Sequence, residues 1–202
     1  MARTIGSHGP KTMEAIRKAG LKLIYEHGFE AMSLRQLASE VGIQVGSLYN
    51  HITTKQDLLY DLIKVHMEEL FQQFDAAMAA VETQGPVGRL KAFIAFHVTY
   101  HILRKREVFI GASELRSLAP EHYEEIVALR RRYERHLIEI LRQGEAQGLF
   151  RCGDASVAAY GILAMLTGVC TWFRPHGRLS KEQVAETYSD LVLQGLMLPP
   201  EA

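Results

Sequence analysis

Between Gln44 and Lys55 the chain gathers side chains able to hydrogen-bond to base edges and phosphates: Gln44, Val45, Ser47, Tyr49, Asn50, His51 and Lys55, in the run QVGSLYNHITTK. Asn forms paired hydrogen bonds with adenine, Val meets a thymine methyl, and Ser tolerates several partners. Tyr, Ser and protonated His suit phosphate oxygens, which position a protein on a duplex without specifying sequence. Lys55 adds a positive charge at the first turn of a helix, where the N-terminus already favours anions. Ser33 and Arg35, at the start of the preceding helix, complete the candidate contact set. The chemistry within reach is the reading of duplex DNA.

Two short helices joined by a glycine turn would position these groups. Ser33 and Gln36 have the spacing of a capping box, in which hydroxyl and amide satisfy each other's backbone N–H. Leu34, Leu37, Ala38 and Val41 then fall on one helical face. Gly42 suits the left-handed conformation that ends a helix. Ile43 points back to the core. A second helix is expected over Gln44 to Ile52, with Leu48 and Ile52 inward and Ala38 small enough for close approach. Thr54 and Asp57 form a second capping box for a third helix.

On these residues the chain resembles the tetracycline-repressor (TetR) family of bacterial transcription regulators. The resemblance rests on AIRKAGLKLIYEHGFEAMSLRQLASEVGI followed by GSLYNHITTKQDLL, about the first sixty residues. Gln44 and Val45 stand where the family more often has Ser and Lys, Asn50 where His is frequent, and Ile52 where Phe is usual. The first three differences bear on the operator sequence rather than on the function; the fourth is a core exchange. The resemblance implies a helix-turn-helix DNA-binding domain over residues 1–54. It also implies a larger helical domain over 55–202 that binds an effector and dimerises. A homodimer would place its two reading helices roughly 34 Å apart and read an inverted repeat, a double-stranded DNA operator. Repression relieved by a small molecule is the expected mode of action.

Composition narrows the alternatives. Of 202 residues 48% are hydrophobic, enough for a packed core, and the net charge is zero with pI near 7.1. That balance hides an asymmetry. Residues 1–55 hold seven Lys/Arg against four Glu, a net +3 of the sign that phosphate needs. Arg3 and Lys11 lie in an N-terminal stretch, ARTIGSHGPK, read as a tail that touches DNA when bound. Cys152 and Cys170 match no metal or redox spacing. No secretory signal and no membrane span is expected, so the location is read as cytoplasmic. No Gly-rich phosphate loop, G-x-S-x-G or joined nucleophile and base is present, so an enzyme is not expected and no cofactor is predicted.

Helical spacing dominates the remainder, giving an all-α expectation of about nine helices: 12–27, 34–41, 44–52, 55–81, 87–105, 108–118, 121–147, 154–173 and 180–198. The segment Ala155 to Phe173 carries no charge, so it must be buried all round, either within one chain's core or half against a second subunit. With the apolar face of the last helix (Val184, Tyr188, Leu191, Val192, Leu196) it would make a four-helix dimer interface from helices 154–173 and 180–198.

The family resemblance also implies an effector pocket, and aromatic and adjacent residues supply its expected lining: Phe74, Phe96, His97, Tyr100, Phe109, Met165, Trp172 and Arg174. The runs ELRSLAPEHYEEIVALRRR and TWFRPHGRLS resemble a subgroup that senses acyl-CoA thioesters and fatty acids. Cations for CoA phosphates would come from Arg104, Lys105, Arg106, Arg130, Arg131 and Arg174. Two alternatives stand beside this. One is a DNA-binding protein with no effector. The other is a metal-responsive regulator using His97 and His101, four apart on one helix face, with His66 or Glu114 as a third ligand.

Overall fold

The computed structural model describes residues 9–197. They form ten α-helices and one 3₁₀ turn: α1 Gly9–His27, α2 Leu34–Val41, α3 Val45–Leu48, α4 Lys55–Ala79, α5 Pro86–Leu103, α6 Lys105–Ser113, the 3₁₀ turn Leu115–Ser117, α7 Pro120–Ala146, α8 Ala155–Thr167, α9 Val169–Trp172 and α10 Lys181–Leu196. Among the described residues the only β feature is one isolated bridge, Phe150 with Met197. The all-α expectation holds.

The departures from sequence periodicity are local. Helix α1 begins at Gly9, so Lys11 belongs to it; Arg3 lies outside the described residues, as do the residues after Met197. Helix α3 is shorter than Gln44–Ile52. Gln44 caps it without a side-chain hydrogen bond. Past Leu48 the chain tightens into turns, with the His51 and Ile52 N–H groups both donating to the Leu48 carbonyl at 2.9 and 3.1 Å. The apolar helix expected over 154–173 is divided at Gly168, whose N–H is shared between the Ala164 and Leu166 carbonyls. Bifurcated bonding of this kind tightens a last helical turn.

Two compact units make up the chain. The first runs to His66 and takes in residues 106–126; the second comprises Met67–Lys105 and the residues from Val127 onward. The first unit therefore extends past the break expected at Thr54 and recruits a segment from much later in the sequence.

In the first unit α1 buries Ile16, Ala19, Gly20, Leu23 and Ile24, which fall at i, i+3, i+4, i+7 and i+8 on one helical face. Gly28, at φ 83°, ends it. Arg17 holds Asp61 of α4 through two hydrogen bonds, Nε to Oδ2 at 2.7 Å and Nη2 to Oδ1 at 2.8 Å. Lys22 pairs with Glu40 at 2.7 Å, tying α1 to α2. From the later segment, His122 stacks on Tyr60 with centroids 3.9 Å apart, and Glu125 meets Lys64 at 2.9 Å.

In the second unit α5 packs against α10 and against α8 and α9. Leu90, Phe93, Ile94 and Val98 of α5 are wholly buried, as are Leu137, Ile140 and Leu141 of α7. Gly144 is required by packing: a Cβ there would sit 1.9 Å from the Phe150 ring. The Arg151 N–H then donates to the Leu196 carbonyl at 2.8 Å, fixing the α7–α8 connection to the end of α10.

Candidate nucleic-acid interface and effector region

The reading unit is built as its residues dictate. Ser33 Oγ accepts from the Gln36 N–H at 3.2 Å and the Ser33 N–H donates to Gln36 Oε1 at 2.9 Å, closing the capping box. Gly42 takes φ 77°; its N–H returns to the Ser39 carbonyl at 3.2 Å and the Ile43 N–H to the Ala38 carbonyl at 3.0 Å. These are the two bonds of a helix-ending turn that redirects the chain sharply. Leu37, Ala38, Leu48 and Ile52 are buried beneath it. Thr54 and Asp57 form the second box, at 2.9 and 3.0 Å.

That buried support leaves the opposite face free. Gln44, Val45, Ser47, Tyr49 and Asn50 are exposed, with His51 half-buried beside them. Apolar Val45 and Tyr49 standing in solvent at 36% and 54% exposure mark a surface shaped for contact. Ser33 and Arg35 are exposed at the start of α2. Lys55 is placed differently from the outward phosphate contact its position suggests. Its Nζ donates to the Phe29 and Glu30 carbonyls at 2.9 and 3.1 Å and lies 4.3 Å over the Phe29 ring.

The residues chosen for the effector pocket divide into several places. Phe74, Phe96, His97 and Tyr100 come together in the second unit. Phe74 contacts Phe96 at 5.4 Å between centroids, and Phe96 stacks on Tyr100 at 5.5 Å. Phe93, Tyr133 and His136, which lie outside the expected lining, complete this aromatic cluster. Tyr133 and His136 stand three apart on α7, a helical spacing that would have brought both to one face. Phe109 is a correction: it belongs to the first unit, packs edge-on against Tyr25 at 5.1 Å, and is half exposed. Met165 lies with Gly161, Leu191 and Gly195 along the outer groove of α8 and α10. Trp172 is half exposed beside Tyr188, and Arg174 is exposed in the loop after it.

At the centre of the cluster sits a polar group. His97 Nδ1 is 3.2 Å from Tyr133 Oη and its Nε2 is 3.1 Å from Thr167 Oγ1. His101 Nδ1 donates to the His97 carbonyl at 2.8 Å, and the two imidazoles stack at 3.6 Å. Burial holds His97 well below the usual imidazole range, aided by His101; burial likewise lowers His101 to about 4. Both are neutral at physiological pH. Both His97 nitrogens are engaged, and Glu114 accepts from the Phe29 N–H in the first unit. Among the described residues no group of three or more His, Cys, Asp or Glu could hold a metal. The metal-responsive reading has no observation behind it.

A cavity of about 280 Å³ opens beside the cluster, lined by Phe74, Met78 and Ile140 with Asp75, Glu82, Arg89 and His136. Of the cations proposed for CoA phosphates, Arg104 pairs with Glu69 at 3.0 Å and Arg106 lies over the Tyr25 ring at 5.6 Å. Lys105, Arg131 and Arg174 are exposed.

Residues 16–62 match the family model for bacterial regulatory proteins of the tetR family, and residues 83–196 match that for the tetracyclin repressor-like C-terminal domain. The chain is 27% identical over 200 residues to the HTH-type transcriptional repressor KstR2 of Mycobacterium tuberculosis, covering 97% of this chain and 98% of that protein. Its fold is similar to that of a tetR-family regulatory protein from Rhodococcus RHA1, with TM-score 0.86, 27% identity and coverage of 94% and 98%. It is also similar to AibR in complex with isovaleryl coenzyme A and operator DNA, with TM-score 0.77, 29% identity and coverage of 89% and 97%. The described residues thus carry both the exposed helix-turn-helix face and the helical domain of one known kind of regulator, and the chain belongs to the tetR family of DNA-binding transcriptional regulators.

Proposed function

We propose that this protein is a cytoplasmic transcriptional repressor that binds an inverted-repeat operator as a homodimer and is released by a small apolar effector, with acyl-CoA thioesters the favoured class. The observation that carries the reading is the exposed set Gln44, Val45, Ser47, Tyr49 and Asn50 on a fully supported turn. Asn50 and Val45 select bases; Ser47, Tyr49, His51 and Arg35 fix the register on phosphates.

Support for the dimer comes from α8 and α10. Val157, Tyr160 and Leu191 stand 67%, 53% and 54% exposed, and the groove between the helices is floored by Gly161 and Gly195. The stretch Ala155–Trp172 is long and apolar enough to cross a membrane by length and composition, but only 22% of it is buried in one chain. A second copy burying the same strip removes that apolar surface from water. Support for the effector class comes from AibR, whose structure holds isovaleryl coenzyme A, and from the exposed cations Lys105, Arg131 and Arg174.

Release follows from linkage: an effector that weakens DNA binding by some factor is itself bound more weakly on DNA by that factor. The test is binding of the purified protein to DNA from immediately upstream of its own gene, with and without acyl-CoA thioesters of graded chain length. Release by one chain length and not by free CoA is the expected result. Binding unmoved by every thioester would overturn the effector class, and equal ligand affinity on and off DNA would overturn the release mechanism.

A further inference from the structure

The short connection between α1 and α2 carries the reading unit, and it is gripped from two sides. The Phe29 carbonyl accepts from Lys55 Nζ at 2.9 Å, and the Glu30 carbonyl accepts from the same ammonium at 3.1 Å. The N–H of Phe29 donates to Glu114 Oε1 at 3.3 Å, across 85 positions of sequence. The other carboxylate oxygen of Glu114 accepts from Ser117 Oγ at 3.0 Å. Gln56, next to Lys55 on α4, secures the same turn: its Nε2 donates to the Ser117 carbonyl at 2.6 Å and its Oε1 accepts from the Ala119 N–H at 3.2 Å. One ammonium and one carboxylate thus hold the two backbone polar groups of Phe29, its carbonyl and its N–H, and both are tied to the first turn of α4.

The geometry points to Lys55 and Glu114 as positioning residues for DNA reading, acting through Phe29 rather than on DNA. The inference rests on the proposed DNA-reading function and assigns a role to two residues outside the reading face. Charge-assisted hydrogen bonds of this kind are stronger than neutral ones and set geometry as well as energy. With the Phe29 ring itself buried, a shift of the Phe29 backbone moves the start of α2 and, through the Gly42 turn, α3.

The two residues give a test in which positioning and plain electrostatics predict opposite signs. Removing a carboxylate makes the protein more positive, so a purely electrostatic role for Glu114 predicts tighter DNA binding on Glu114→Ala. Positioning predicts weaker binding, by about tenfold for one charge-assisted bond. Glu114→Gln keeps an acceptor for the Phe29 N–H and retains most of the affinity. Lys55→Met supplies the second sign: a lysine on a phosphate lowers the salt slope of log K by about 0.9 when removed, whereas a positioning lysine weakens binding with the slope unchanged.

The experiment uses the full chain and a duplex enriched by the wild type from random sequence. Affinity is measured against salt for wild type, Lys55→Met, Glu114→Ala and Glu114→Gln, with amide exchange of residues 28–32 on the free proteins. Expected are faster exchange at Phe29 and weaker binding in Glu114→Ala, both restored in Glu114→Gln, and an unchanged slope in Lys55→Met. Binding by Glu114→Ala as tight as wild type, or a slope reduced in Lys55→Met, overturns the inference. A wild type that enriches no sequence overturns the DNA-reading function itself, a different result from either.

Discussion

His101 donates through Nδ1 to the carbonyl of His97, 2.8 Å away, and the two rings stack 3.6 Å apart inside an aromatic core. Accepting that bond, a carbonyl fixes His101 as the Nδ1–H tautomer. In the unfolded chain both imidazoles titrate near 6.5; in the fold burial keeps His101 neutral to about 4 and His97 well below its ordinary value. Well above pH 6.5 neither state is protonated and the pair contributes no pH dependence to stability. As pH falls below that, the unfolded chain takes up protons that the folded one excludes, so stability is lost. The loss approaches about 1.4 kcal/mol per pH unit for each histidine. Urea midpoints should therefore drop steeply between pH 6.5 and 4, and His101→Phe should flatten part of that drop. A profile as steep in His101→Phe as in wild type would assign the pH dependence to other groups.

Ser33 and Gln36 satisfy each other's backbone N–H groups at 3.2 and 2.9 Å. Ser33→Ala should lower stability by about 1 kcal/mol, a typical cost of losing an N-cap. The thermal midpoint reads this directly. Because α2 supports the reading face, operator binding should weaken with it, whereas Ser33→Asp, which keeps a capping acceptor, should retain the midpoint.

Much of the reading unit was legible from residue type and local spacing. The two capping boxes, the Gly42 turn and the inward set Ile16, Ala19, Leu23 and Ile24 all depend on neighbours within a few positions, where backbone geometry leaves few choices. What escaped depends on contacts far apart in sequence. Nothing local in Phe109 says that it packs on Tyr25, and nothing local in Glu114 says that it accepts from Phe29. An aromatic residue reads alike in a pocket or under a remote helix, so a set chosen by aromaticity mixed residues of both units. The length of α3 failed for a different reason. Leu48 and Ile52 set its inward face, but Gly46 and an N-cap without a side-chain bond leave little to hold it helical past Leu48.

Asn50 is exposed at the end of the α3 turn, its N–H bonded to the Ser47 carbonyl at 3.3 Å and its amide free to face a base. Asn50→Ala should relax preference at one operator position, costing about 1–3 kcal/mol against the best sequence and little against others. Selection of duplexes from random sequence by both proteins reads this. An unchanged selected sequence would take Asn50 off the reading surface.

The outer groove of α8 and α10 is lined by apolar and small side chains. Val157, Tyr160 and Leu191 project from one chain with more than half of their surface in water, while Ala159, Leu166 and Val192 of the same helices are buried. A face this apolar on a charged protein is stable in solution only when something covers it. A twofold partner presents the same strip, so one substitution acts twice at the interface. Leu191→Arg places two charges against that strip and should convert the dimer to a monomer, read by sedimentation. Burial of Val192 and Leu196 on the inner face is untouched, so helicity and the pH profile of the His97 pair should remain. Operator affinity should fall far more than affinity for a single half-site, because a dimer gains from binding both halves at once. A Leu191→Arg protein that still sediments as a dimer would move the interface elsewhere and leave this groove to another occupant.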